Sequence, residues 1–311
     1  MSFAVVFPGQ GSQSLKMMDG FLECEVVQET FQIAKEVLQV DFLAMLQEAT
    51  ADNINSTINT QPLLLTAGVA IYNSWLHNGG IKPDIVAGHS LGEWSALVAS
   101  GVVTFKDALK LVKIRASLMQ QAVKPGEGSM VAVIGLDDEI IVNICNQVAQ
   151  HTNGVVAAVN FNSPGQVVIA GGKDSVAVAM EQLKANGARK LVVLPMSVPS
   201  HCLLLKPASE KLHEALAKVT FNSPQIKVIH NFNVESYDNV DLIKEALVKQ
   251  LYSPVLWTQT INKIVSNNIV KIVEFGQGKV LSGLNKRINE TIVSGNLNAY
   301  DNIAMIKELV I

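Results

Sequence analysis

The sequence predicts an α/β protein in which a mainly parallel, helix-covered sheet carries a smaller inserted unit. Three observations predict it. Short apolar runs ending in glycine turns alternate with amphipathic segments of helical length. A cluster of chain breakers, Lys124-Pro-Gly-Glu-Gly-Ser129, interrupts that alternation. The segment beyond it reads βαββαβ, the order of a ferredoxin-like split βαβ unit.

The elements follow in order. Phe3 to Phe7 is an apolar run closed by Pro8-Gly9 and reads as a strand, with amphipathic helical segments around 21–38 and 61–78. Ile85 to Ala87 is a second strand, leading into Gly88-His-Ser-Leu-Gly92 and a helix over 93–99; another helix is expected over 105–122. The inserted unit reads as strand 129–135, helix 137–150, strands 155–161 and 166–170, helix 174–186 and strand 190–195. Ser197-Val-Pro-Ser-His201 closes it. The alternation resumes with helix 203–218, strand 226–230, helices near 241–251 and 257–267, strand 270–275, helix 278–288 and a C-terminal helix from 301. The expected division is a large α/β-hydrolase-like domain over 1–126 and 198–311, and a small ferredoxin-like subdomain over 127–197.

Composition narrows the function. Of 311 residues, 49% are apolar and 16% charged, ample for a large core, which excludes intrinsic disorder. The 24 basic against 27 acidic residues give a formal charge of −3, which excludes a generic nucleic-acid binder. Three cysteines, Cys24, Cys145 and Cys202, share no CxxC spacing and point to a reducing compartment without a metal site. Met1 to Phe7 lacks a positive n-region, and the longest uncharged stretch, Ile54 to Ile81, is broken by polar residues; no signal peptide or membrane span is expected, and the cytoplasm is the default location. The charge is uneven: residues 1–105 hold three basic and ten acidic residues, leaving +4 for the rest, so an acidic partner is expected to prefer the later part. Chance segregation of solvated charge is the competing reading.

Gly88-His89-Ser90-Leu91-Gly92 fits GxSxG between a strand and a helix, where a sharp turn lifts a serine hydroxyl above the sheet edge. A serine nucleophile needs a base. Of the six histidines, His77 and His151 sit at helix ends, His213 lies on a wet helix face, His230 reads as a core or edge residue of a strand, and His89 adjoins the serine and points away from it. His201 remains, in a turn after Pro199 at the mouth between the two units. Gly9-Gln10-Gly11 invites a dinucleotide fingerprint, but Ser14 occupies the position of the third glycine. The same turn offers backbone N–H groups suited to an oxyanion hole. On the helix 105–122, Arg115 interrupts the apolar stripe Ala108, Val112, Met119 and Ala122, opposite Lys106, Lys110 and Lys113. A buried guanidinium needs an anionic partner, either an internal carboxylate or a substrate.

Phe7-Pro-Gly-Gln-Gly-Ser-Gln13, Gln61-Pro62, Gly88 to Glu93, Arg115, Asn160-Phe-Asn-Ser-Pro-Gly-Gln166, Val198-Pro-Ser-His201 and Glu274-Phe-Gly-Gln-Gly-Lys-Val-Leu281 together resemble the malonyl-CoA:acyl carrier protein transacylases, the stand-alone bacterial branch of the acyltransferase-domain family. The resemblance covers about residues 3–290. It implies transfer of malonyl from malonyl-CoA to the phosphopantetheine thiol of acyl carrier protein, for fatty acid synthesis, without metal or cofactor. By the same resemblance, Ser90 is the residue malonylated, His201 is base and then acid, and the main-chain carbonyl of Gln250 orients His201. The N–H groups of Gln10 and Leu91 form the oxyanion hole, Arg115 holds the malonyl carboxylate, and Asn160 and Asn162 bind substrate. Ser200 stands where malonyl-selective polyketide domains tend to carry an aromatic residue, so the chain follows the stand-alone enzymes. The carrier protein is typically acidic, which makes Lys184, Arg189, Lys190, Lys279, Lys286 and Arg287 the expected docking charges. A serine thioesterase or hydrolase with the same Ser-His pair, and a non-catalytic docking module, are the alternative functions.

Overall fold

Four apolar residues form β1 (Ala4–Phe7), the middle strand of a five-stranded sheet completed by β2 (Ile85–Gly88), β7 (Lys227–Ile229), β8 (Lys271–Phe275) and β9 (Val293–Leu297) in the order β7-β2-β1-β8-β9. The computed structural model describes residues 2–48, 51–195 and 198–311; Met1 and Ser197, which bound the expected units, lie outside the described residues. Every pairing in this sheet is parallel, and burial on both faces explains why its first strands read as unbroken apolar runs. Alternate residues of β1 serve the two faces. Val5 and Phe7 share a core with α1 (Glu25–Leu38), α4 (Thr57–His77), α6 (Phe105–Ala122) and α9 (Lys206–Ala217). Ala4 and Val6 meet α11 (Trp257–Ser266) and α12 (Val280–Ile288). The remaining helices of this part are α2 (Phe42–Glu48), α3 (Ala51–Asn55), α5 (Gly92–Ala99), α10 (Val240–Gln250) and α13 (Ile303–Val310).

The second sheet is antiparallel and built from β3 (Gly128–Ile134), β4 (Val156–Ser163), β5 (Gln166–Gly172) and β6 (Lys190–Val193) in the order β4-β5-β3-β6. That is the strand order of a ferredoxin-like split βαβ unit. Its helices, α7 (Asp138–Thr152) and α8 (Lys173–Ala185), cover one face, where Val131, Val133 and Ile169 meet Ile141, Val148, Val176 and Leu183. On the opposite face Met130, Val168 and Ala170 pack against Cys202 and Leu204. The outer edge of β4 is fastened to the large sheet's part of the chain: Phe161 N–H donates to Val255 O at 3.0 Å and Val255 N–H donates to Val159 O at 2.8 Å. These bonds hold Asn160 and Asn162 beside the C-terminal edge of the parallel sheet.

The structure corrects several sequence expectations. β9 was not expected, because Val-Ser-Gly-Asn-Leu lacks an apolar pattern; it is recruited by parallel pairing with β8, from Lys271 with Val293 to Phe275 with Leu297. The short helices α2 and α3 were likewise unforeseen, and α4 begins at Thr57, so that Pro62 lies inside the helix rather than at its start. β6 ends at Val193 instead of 195, and His230 lies one residue beyond β7 instead of within it. Among the described residues no helix is long and apolar enough to cross a membrane, and no group of three or more His, Cys, Asp or Glu is gathered to hold a metal ion. All three cysteines are free and buried.

Candidate active site

The site is assembled at the C-terminal edge of the parallel sheet, where loops leaving β1, β2 and β7 converge. The turn after β2 holds Ser90 at φ 50°, in the left-handed region that an L side chain enters at a cost, and this lifts the hydroxyl clear of the strand. The flanking glycines are required by close approach. A Cβ on Gly88 would sit 1.9 Å from the carbonyl carbon of Gly92, and one on Gly92 would sit 2.0 Å from Phe7 O. Asn231, just past β7, ties the turn down: its Oδ1 accepts from Ser90 N–H at 2.6 Å and its Nδ2 donates to Gly88 O at 2.7 Å.

His201 approaches from the other side of the cleft. The last carbonyls of a helix have no partner inside it, and His201 docks on the end of α10. Its main-chain N–H donates to Leu251 O at 3.0 Å, and its Nδ1 lies 2.7 Å from Gln250 O. Both contacts hold it at φ 65°. A carbonyl only accepts, so Nδ1 carries the proton and Nε2 is left bare, 2.8 Å from Ser90 Oγ. Burial, with the Arg115 charge adding to it, pushes His201 down to about 3, which keeps the imidazole neutral and its Nε2 lone pair turned to the Ser90 hydroxyl.

Arg115 lies on the buried side of α6 and is 1% exposed. Its Nη1 donates to Gln61 Oε1 at 2.6 Å, and its Nη2 to Gln250 Oε1 at 3.0 Å and to Ser90 Oγ at 3.2 Å. Nε has no partner among the described residues. Burial lowers Arg115 to about 10, partly offset by the Glu93 charge, so it stays cationic at neutral pH. No carboxylate forms an ion pair with it among the described residues. The internal-carboxylate reading of Arg115 is therefore not what the fold provides; its protein acceptors are neutral oxygens.

The remaining sequence-predicted residues fall around this centre. Leu91 immediately precedes α5 and Gln10 follows β1, and neither main-chain N–H has an internal acceptor among the described residues. A cleft of about 800 Å³ is lined by Gly9, Gln10 and His89 on one side and by Met130, Asn160 and Asn162 on the other, with Lys279 and Arg287 also on its wall. Asn160 Oδ1 is buried without a partner, whereas Asn162 Oδ1 is engaged by His89 Nε2 at 2.9 Å. His89 also packs on Trp257, with ring centroids 5.6 Å apart, and so points away from Ser90. His213 is exposed, as expected of a wet helix face.

Sequence reasoning missed Asn231 and the side-chain roles of Gln61, Gln250 and Glu93. Asn231 had one usable signal, its place just beyond a parallel strand beside β2, where such sheets gather their functional groups.

The acyl transferase domain family model matches residues 4–276. The malonyl CoA-acyl carrier protein transacylase of Escherichia coli K12 is 48% identical over 308 residues, covering 99% of each chain. That of Bacillus subtilis is 40% identical, covering 93% of this chain and 91% of the other. Among solved structures, an acyl carrier protein S-malonyltransferase from Vibrio cholerae superposes with a TM-score of 0.95 at 48% identity, covering 98% of this chain and 100% of that one. A malonyl-transacylase solved in complex with its type II PKS acyl-carrier protein superposes with a TM-score of 0.97 at 46% identity over 99% of each chain. The chain belongs to the acyl transferase domain family and, within it, to the malonyl CoA-acyl carrier protein transacylases.

Proposed function

We propose that this chain transfers the malonyl group of malonyl-CoA to the phosphopantetheine thiol of holo acyl carrier protein through a malonyl-Ser90 ester, in the cytoplasm and in the service of fatty acid synthesis. The observation that carries this reading is a buried guanidinium, bonded to neutral oxygens alone, 3.2 Å from the nucleophilic oxygen. An acyl group ending in a free carboxylate supplies the missing anion; an acetyl group leaves the charge unpaired. We divide the chain into a large domain, 1–126 with 198–311, and a small one, 127–197, with the cleft between them.

Ser90 Oγ attacks the thioester carbonyl while its proton passes to His201 Nε2. The new imidazolium keeps its Nδ1–H on Gln250 O. The N–H groups of Gln10 and Leu91 receive the oxyanion. The C–S bond then breaks, and His201 returns the proton to the departing CoA thiolate. In the second half-reaction the pantetheine thiol gives its proton to His201, its sulfur attacks the ester, the C–O bond breaks and Ser90 regains a proton. Asn160 and Asn162 bind the acyl-thioester arm in the cleft.

Intact mass after incubation with malonyl-CoA tests the reading. One malonyl group is expected on the wild type and none on Ser90→Ala. No adduct on the wild type overturns the reading. Rapid release of free malonate in the absence of carrier protein points instead to the hydrolase.

A further inference from the structure

Glu93 is completely buried, and none of its hydrogen bonds reaches Ser90 Oγ, His201 or Arg115. Its Oε1 faces His230 Nδ1 at 2.8 Å. Its Oε2 accepts from Asn231 N–H at 2.9 Å and from Gln250 Nε2 at 2.8 Å. The second hydrogen of that Gln250 amide goes to Ser90 O at 3.0 Å. A carboxylate and a carbonyl can only accept, so both require the NH2 end of the amide, and Gln250 Oε1 is thereby turned toward Arg115 Nη2 at 3.0 Å. The reversed amide would set an NH2 group against the guanidinium and an oxygen against two acceptors. Gln61 performs the same service for Nη1, its own amide nitrogen being turned to Met119 Sδ at 3.4 Å.

We propose that Glu93 is a positioning residue that fixes the Gln250 amide and, through it, the Arg115 guanidinium, so that preference for acyl groups bearing a carboxylate depends on a side chain that never meets the substrate. The arrangement explains why the negative charge is set one residue back. A carboxylate in direct contact would neutralise Arg115 and compete with the malonyl group, whereas an oriented neutral oxygen holds the guanidinium and leaves its charge available. The inference rests on the function proposed above.

The test compares Glu93→Gln, Gln250→Met and the double variant in two readouts: kcat/KM for malonyl-CoA with holo acyl carrier protein, and the rate at which a neutral sulfonyl fluoride inactivates Ser90. Gln250→Met keeps the main-chain carbonyl on which His201 rests. Each single variant is expected to lower malonyl kcat/KM, mostly through KM, by at least about tenfold more than it lowers the sulfonyl fluoride rate. The double variant is expected to be no worse than Gln250→Met, because both act through one amide. Equal losses in both readouts, additive losses in the double variant, or an unchanged malonyl rate overturn the proposal. Should Glu93→Gln fail to fold, Gln250→Met decides alone: an unchanged ratio of the two rates sinks the idea. A wild-type chain that takes no malonyl group removes the underlying reading as well; a malonylated wild type whose variants keep that ratio removes only this inference.

Discussion

Arg115 Nη2 lies 3.2 Å from Ser90 Oγ, so the group proposed to select the substrate and the atom proposed to attack it are in direct contact. Selection and chemistry are thus read at one point, and the variants below are expected to separate them.

Arg115→Ala is expected to lower kcat/KM for malonyl-CoA by about two orders of magnitude, in line with a loss of about 3 kcal/mol on truncating one partner of a buried charge pair. Acetyl transfer, which makes no such pair, is expected to change far less. Steady-state kinetics with both thioesters check this, and equal losses would remove the role assigned to Arg115.

The pH dependence follows from His201. Its pKa is held at about 3 by burial first and by Arg115 second, against an ordinary value of 6.5. Ser90 acylation is therefore expected to stay flat through pH 6.5 and to fall only well below it. The unfolded chain, in contrast, takes up a proton on this histidine near pH 6.5 and binds more protons than the folded chain. Stability is consequently lost as pH falls below about 6.5. His89, also held down by burial, acts in the same direction. Thermal melts between pH 7.5 and 5.5 should show a smaller acid loss in His201→Gln than in the wild type.

Asn231→Ala removes the two bonds that hold the nucleophile turn and leaves Ser90 N–H and Gly88 O without partners. The expected cost is about 1–3 kcal/mol of stability. Acylation of Ser90 should slow by at least about tenfold, because the strained backbone at φ 50° loses its restraint. Denaturant unfolding and burst-phase acylation measure the two effects. Unchanged acylation in a destabilised protein would assign Asn231 to folding alone.

Lys279, Lys286 and Arg287 are exposed, and the first and last line the cleft. Reversing Lys286, the one of the three that does not line the cleft, to Glu is expected to raise KM for carrier protein and to flatten its salt dependence while sparing KM for malonyl-CoA. An unchanged carrier-protein KM would leave the uneven charge of the chain as chance.

Legibility in the sequence followed the distance over which the information is written. The Ser90 turn is local, carried by five consecutive residues and a strand before them, and its place in the fold was readable. Arg115 was readable because helical periodicity predicts what its neighbours do, and a cation in an apolar stripe violates that pattern. Asn231 was missed, because its bond to Ser90 spans 141 residues and its place just beyond a parallel strand is the one signal it carries. Distance also hid the side-chain role of Gln250, whose amide reaches Glu93 across 157 positions. β9 escaped because pairing with β8, not its own composition, makes it a strand.

The bonds between β4 and Val255 have a consequence for dissecting the molecule. β4 is an edge strand of its sheet, and residues 159–161 use their outward backbone groups on Val255, with Thr258 Oγ1 adding a bond to Phe161 O at 3.1 Å. Cut out of the chain, the four-stranded sheet would bare those groups, together with the apolar face formed by Met130, Val168 and Ala170, and offer a template for edge-to-edge association. The βαββαβ piece is therefore not a portable cassette: exchange between relatives should carry the 255–258 segment with it.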